Sequence, residues 1–174
     1  NLRTDWVGGV GVKSFPETWA ERLEAGIKLK KAGHPFGFEL GHGFGDNHGW
    51  LYPLLWSFGA REVDKDGKTV AIDSAETARA IDFCREFFQK TMFEDVLGWT
   101  DVSNNKAYLS EQISCTNNDD SILYNAYRGF PDLDKATGQE PTPKRPTAGR
   151  SITLNPRTTA ILSKTPPLHK ATTN

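Results

Sequence analysis

Residues 35–59, "PFGFELGHGFGDNHGWLYPLLWSFG", change texture twice in a short span. Residues 35–40 are apolar and aromatic, with one carboxylate, and read as a short buried strand. The next stretch places Gly41, Gly43 and Gly45 at alternate positions and reads as a tight loop. A helix follows from about residue 47, with Asp46 or Asn47 as its N-cap and Gly59 as its stop. Pro53 removes one donor from that helix. A strand that turns through glycines into a capped helix is the working unit of an α/β layered domain. In such folds ligands sit beyond the carboxyl ends of the strands.

The flanking sequence repeats the theme. Residues 16–32 predict a helix with Pro16 in its first turn and an apolar stripe of Trp19, Leu23 and Ile27. Glycine 33 is its predicted stop. Asp66-Gly67 between Val63 and Val70 predicts a hairpin. Residues 74–91 predict the clearest helix, capped by Asp73 or Ser74, with Ala80, Ile81, Cys84, Phe87 and Phe88 on its apolar face. A shorter helix is expected over 103–111. A strand in "QISCTNN" then leads to a helix capped among Asp119, Asp120 and Ser121. Residues 131–150 carry Pro131, Pro141, Pro143 and Pro146 and read as a long surface connection. Residues 151–162 restore a β pattern, and the last dozen residues show no periodicity.

Composition narrows the function. A chain of 174 residues holds one well-cored domain. A net charge of -1 gives no electrostatic case for a nucleic-acid or anionic-membrane partner. No apolar run is long enough to span a bilayer, so direct membrane insertion is not expected. The opening "NLRTDWVGG" has no leader-like pattern and reads as a cleaved or excised piece. Cys84 and Cys115 are the two cysteines, and both are expected as buried free thiols.

Four chemistries compete for the loop. Glycines 41, 43 and 45 give GxGxG without the phosphate-loop lysine, which argues against a nucleotide. His42, Asp46 and His48 are good metal ligands on one loop, but no HExxH or CxxC supports them. A carboxylate pair such as Glu39 with Asp46, or with Asp119 or Asp120, would permit glycosidic acid–base chemistry. The fourth reading is a binding cleft. Asp46, Asn47, His48, Asn117, Asn118, Asp119 and Ser121 are fixed hydrogen-bonding groups, and Trp50, Trp56 and Trp99 offer flat faces. Polar planar groups beside aromatic faces suit a sugar. Both loops are expected to lead into helix N-termini that add backbone donors. Trp19 and Trp56 read as core residues, and His34 as structural.

The order of segments resembles family 1 of the extracellular (periplasmic) solute-binding proteins of ABC transporters. The segments are "RTDW", "FPETWAERLEAGIKLKKAG", "YPLLWSFGA", "VDKDGKTVAIDSAETARAIDFCREFF" and "NNKAYLSEQISCTNND". The resemblance implies one lobe of a type II periplasmic-binding-protein-like fold, α/β and three-layered, with a central mixed sheet flanked by helices. Residues 1–130 would form the second-lobe core, 131–150 a connection, and 151–174 a return strand toward a first lobe plus a tail. The implied function is non-enzymatic capture of a carbohydrate or polyol in an interlobe cleft, for delivery to an ABC permease in the inner membrane. The implied location is periplasmic or extracellular, with no cofactor and no metal. Carried onto this sequence, the cleft residues are Asp46, Asn47, His48, Asn118, Asp119 and Ser121, extended by His42 and Trp50. Sugar-binding relatives place an aromatic near Ser121, and this sequence has none there. Its end, "TPPLHKATTN", also departs from the helix such proteins carry.

Overall fold

A computed structural model describes residues 1–14 and 16–144. The chain starts with strand β1 (Leu2–Arg3) and helix α1 (Thr4–Gly9). Helices α2 (Trp19–Lys31), α3 (Asp46–Ser57) and α4 (Ala75–Thr91) follow. A 3₁₀ turn over Glu94–Gly98 leads to α5 (Ser103–Leu109), α6 (Ser121–Gly129), α7 (Pro131–Ala136) and strand β2 (Thr137–Gly138).

Helix α2 starts at Trp19, later than Pro16 predicts. Thr18 accepts the N–H of Glu21, and the Glu21 carboxylate accepts the N–H of Thr18. This reciprocal capping box satisfies two end donors at once and sets the start. The buried face of α2 is also rotated from the predicted stripe. Arg22, Ala25, Gly26 and Leu29 are buried, while Ile27 is exposed. Gly26 is the reason. A Cβ there would lie 2.5 Å from Phe36 and 2.7 Å from Thr91, so only glycine lets α2 settle this closely. Ser74 caps α4 by accepting the Thr77 N–H, as expected, but Ile81 is 58% exposed and Thr77, Ala80, Phe87 and Thr91 form its buried side.

The expected central mixed sheet is not seen among the described residues. Their only sheet is the antiparallel pair of β1 and β2, Leu2 opposite Gly138 and Arg3 opposite Thr137. The predicted strands at 35–40 and 112–118 meet through one parallel bridge, Phe36 to Cys115, and Leu2 joins Cys115 through one antiparallel bridge. Each bridge rests on two backbone bonds: Ser114 N–H to Pro35 with Gly37 N–H to Cys115, and Arg3 N–H to Ser114 with Thr116 N–H to Asn1. Phe36 N–H donates to Thr91, Gly37 N–H to Cys115 and Leu40 N–H to Val96. The hairpin likewise reduces to one Val63–Val70 bridge around Gly67, whose φ is 67°. Residues 131–138, expected as plain connection, instead form α7 and β2. Pro131 opens α7 at a position where its missing N–H costs nothing, and Leu133 is buried. The predicted β segment at 151–162 lies outside the described residues.

Two apolar clusters hold these elements. The larger joins Trp19, Leu29, Phe36, Phe38, Trp50, Leu54 and Phe87 beneath α2, α3 and α4. The smaller joins Tyr108, Ile113, Ile122, Ala126 and Leu133 beneath α5, α6 and α7. Phe93 and Trp99 pack against both and against each other, with ring centroids 5.5 Å apart. Cys84 and Cys115 are unbridged, and burial pushes the Cys84 thiol up to about 11.

Candidate functional site

The glycine loop at 41–45 is closed from inside. The Asn47 side-chain amide donates to the carbonyls of Gly41 at 2.9 Å and Gly43 at 2.8 Å. Asn47 is buried, so it shapes the loop. Two glycines are required by contact. A Cβ on Gly41 would fall 1.9 Å from the Trp99 carbonyl oxygen, and one on Gly45 would fall 1.9 Å from Asp101 Oδ1. Gly45 also has φ 144°, a backbone region closed to other residues.

Helix α3 therefore begins differently from the sequence expectation. Gly45 stands at the N-cap, and no side chain there caps the helix. The cap comes from across the fold: Asp101 Oδ1 accepts the Asp46 N–H at 3.0 Å. Glu39 Oε2 accepts the Asn47 N–H at 3.3 Å, and Asn47 Oδ1 accepts the His48 N–H at 2.6 Å. The expected free backbone donors at this end are consumed by protein acceptors. The negative charge of two carboxylates also suits the positive end of the helix dipole.

Asp46 connects the two loops. Its Oδ2 accepts from Asn104 Nδ2 at 2.5 Å and from Asn118 Nδ2 at 3.0 Å. Asn104 also donates to the carbonyl of Asn117 at 3.0 Å. Asn118 Oδ1 accepts from Ser121 Oγ at 2.8 Å, and Ser121 Oγ accepts from Asn105 Nδ2 at 3.0 Å. Gly49 permits the approach, since a Cβ there would lie 3.2 Å from Asn117 Nδ2. Burial pushes the Asp46 carboxyl up to about 6. The Asn104 hydrogen bond opposes that shift, while Asp101, Glu39 and Asp119 reinforce it. Burial raises the Glu39 carboxyl as well.

The predicted site residues thus divide. Asp46, His48, Asn118 and Ser121 gather at the junction, and Asp119 sits beside them, its Oδ1 accepting the Asp120 N–H at 2.9 Å. His42 is exposed on the loop. Trp50 is a correction. It is 0% exposed, its ring lies 5.3 Å from Phe38, and its indole N–H donates to the Glu39 carbonyl at 2.8 Å. Trp50 is a core residue and presents no face to a solute. Trp56 departs in the other direction: it is half-buried, and its indole N–H donates to the Glu62 carboxylate at 3.1 Å. His42, Asp46 and His48 do not come together as a ligand set. Among the described residues the grouping of potential ligands is Glu39, Asp46 and Asp101.

Asn104, Asn105, Asp101 and Phe44 were missed by sequence reasoning. Asn104 and Asn105 left one signal: paired asparagines inside a helix are poor helix formers, retained where their side chains bond elsewhere. Phe44 is 88% exposed at the loop tip, beside His48 at a centroid distance of 5.0 Å. His48 in turn stacks on Tyr52 at 5.9 Å.

A family model of bacterial extracellular solute-binding proteins matches residues 2–171. The chain belongs to that family. It is a family of solute binders, not of enzymes. Among solved structures, the maltose-bound MalE3 of T. maritima is 24% identical, with a TM-score of 0.78 over 87% of this chain and 39% of that one. The GacH receptor of Streptomyces glaucescens GLA.O, solved unliganded and with acarbose, is 24% identical, with a TM-score of 0.63 over 86% of this chain and 37% of that one. A sugar transporter from Arthrobacter chlorophenolicus A6 with bound laminaribiose is 23% identical, with a TM-score of 0.63 over 75% of this chain and 33% of that one. The chain spans 33–39% of the length of these matched structures. These likenesses show the fold. No curated protein gives a significant match. No helix among the described residues is long and apolar enough to cross a membrane.

Proposed function

We propose that this chain is most of one lobe of the substrate-binding component of an ABC importer. It captures a carbohydrate or polyol between two lobes, outside the cytoplasmic membrane, and the closed form delivers it to a permease. The observation that carries this reading is the joining of the two predicted cleft loops through Asp46 and Asn118, beside an exposed phenyl ring at Phe44. A sugar has hydroxyl edges and C–H faces, and this junction offers acceptors, amides and one free aromatic face. Phe44, 88% exposed beside His48, is the ring this loop offers for stacking. The sugars bound by MalE3, GacH and the Arthrobacter protein support the ligand class. Lobe closure follows from contacts that the solute makes to both sides only in the closed form.

The test is calorimetry and tryptophan fluorescence of the full-length protein containing this sequence, titrated with maltose, laminaribiose, tagatose and a polyol panel. Saturable binding that weakens at least tenfold in Asp46→Asn and Phe44→Ala is expected. Binding unchanged in both variants, or none across the panel, would overturn the assignment.

A further inference from the structure

Three carboxylates converge at the glycine loop from separate parts of the chain: Glu39 is buried, Asp46 half-buried and Asp101 exposed. Glu39, Asp46 and Asp101 each place an oxygen within 4.8 Å of the others. One residue of the set has an unmet need. Glu39 is 1% exposed, its Oε2 is held by the Asn47 N–H, and its Oε1 has no hydrogen-bond partner among the described residues. Oε1 points into the turn, 3.2 Å from where a Cβ on Gly43 would sit. A buried carboxylate oxygen without a donor is costly, and a second and third carboxylate beside it add repulsion. Asn47 does not fill the gap, because it is already committed to Gly41, Gly43 and Glu39, and His48 leaves its own buried Nδ1 unpartnered.

We infer that Glu39, Asp46 and Asp101 bind a hard divalent cation, calcium in class, at the foot of the 41–45 loop. The ligand atoms are all oxygens, which favours calcium or magnesium over zinc. The three oxygens lie close enough to share one ion, since calcium bonds of about 2.4 Å span up to about 4.8 Å between facing oxygens. Calcium also tolerates an irregular set of protein oxygens, whereas magnesium demands a near-ideal octahedron and keeps most of its waters. The loop carbonyls of Gly41 and Gly43 each accept one hydrogen bond and keep a second lone pair on the same turn. A cation here would tie residue 39, the start of α3 and the 99–102 segment together. It would neutralise the cluster without any solute; Asp46 belongs to both this and the sugar reading, so the variants that test the cation are at Glu39 and Asp101.

Terbium luminescence tests it on the 174-residue chain. Trp50 sits beside Glu39 as a sensitiser, since its indole N–H bonds the Glu39 carbonyl at 2.8 Å. After treatment with chelator, saturable terbium emission should be displaced by calcium at roughly 10⁻⁴–10⁻³ M, the range of extracellular calcium modules. Glu39→Gln and Asp101→Asn should each weaken displacement at least tenfold. Asp101→Asn keeps an acceptor for the Asp46 N–H and decides the matter alone if Glu39→Gln fails to fold. Excess calcium should raise Tm by about 3 °C or more over chelator, lost in both variants. No displaceable emission, equal calcium affinity in the variants, or a Tm rise with zinc but none with calcium would overturn it.

Discussion

The aromatic core and the polar junction meet at the same short stretch of α3 but are built by opposite rules. Trp50 points inward to Phe38 and Phe87, while Asp46, one turn earlier, joins Asn104 and Asn118. The core is redundant. Trp19, Phe36, Phe38, Trp50, Phe83 and Phe87 touch in many pairs, and each contributes area in the non-directional way of hydrophobic burial. The junction is sparse and directional. Its partners lie 58 and 72 residues from Asp46 in sequence. Losing one side chain there leaves a half-buried charge under-bonded, whereas losing one ring leaves a cavity. The first failure alters binding chemistry and the second mainly alters stability.

That contrast can be broken most sharply at Trp50. Trp50→Ala should cost about 3–5 kcal/mol in urea denaturation, because it opens a large cavity and strands the Glu39 carbonyl. A loss below about 1 kcal/mol would mean that the core does not depend on this ring. Asn104→Ala comes next, at about 1–3 kcal/mol, since it removes a buried side chain and strips a donor from the half-buried Asp46 carboxylate. Unlike Trp50→Ala, it should also push the Asp46 carboxyl higher, which carboxyl NMR titration would read. Gly26→Ala should cost about 1–3 kcal/mol by forcing α2 off Phe36 and Thr91, with no effect on the Asp46 titration.

A pH scan separates the two regions further. Asp46 has a raised carboxyl in the folded chain, so the folded state binds its proton more tightly than the unfolded state. Its contribution to stability is fully present below about 3.8 and is lost as pH rises through about 6. In chelator, Asp46→Asn should therefore gain stability relative to the parent across that window, by at most ~1–2 kcal/mol once solvent screening is counted. Glu39, Asp101, Asp119 and His48 share that environment, so the same scan in Glu39→Gln should show a shifted window. A stability difference independent of pH would show that Asp46 titrates normally. The smallest effect belongs to the exposed helix pair Glu86–Lys90, where Lys90→Ala should stay within about 0.5 kcal/mol.

Much of the helix content was legible because its signals are local. Ser74 as a cap, Gly67 in a turn, and an apolar face including Ala80 and Phe87 follow from neighbours within a few residues. The capping box of Thr18 and Glu21 was equally local, yet Pro16 was the more conspicuous signal, and the predicted start shifted with it. The rotation of α2 could not be read from its own stripe. Gly26 matters only because Phe36 and Thr91 lie against it. Trp50 and Trp56 show the same limit: each could stack, pack or hydrogen-bond, and its neighbours decide which.

The sequence by itself determined that apolar helices would alternate with short apolar segments, that a glycine loop would precede α3, and that polar groups would cluster at two loops. Those features depend on period, turn chemistry and side-chain type, which are written into contiguous residues. Tertiary structure decided which polar groups meet. It brought Asp101 against Gly45 as the cap of α3, set Asn104 between the loops, and left one oxygen of Glu39 without a donor. A hydrogen bond is made or lost within an ångström, and residues 58 positions apart reach that accuracy only through the packing of everything between them.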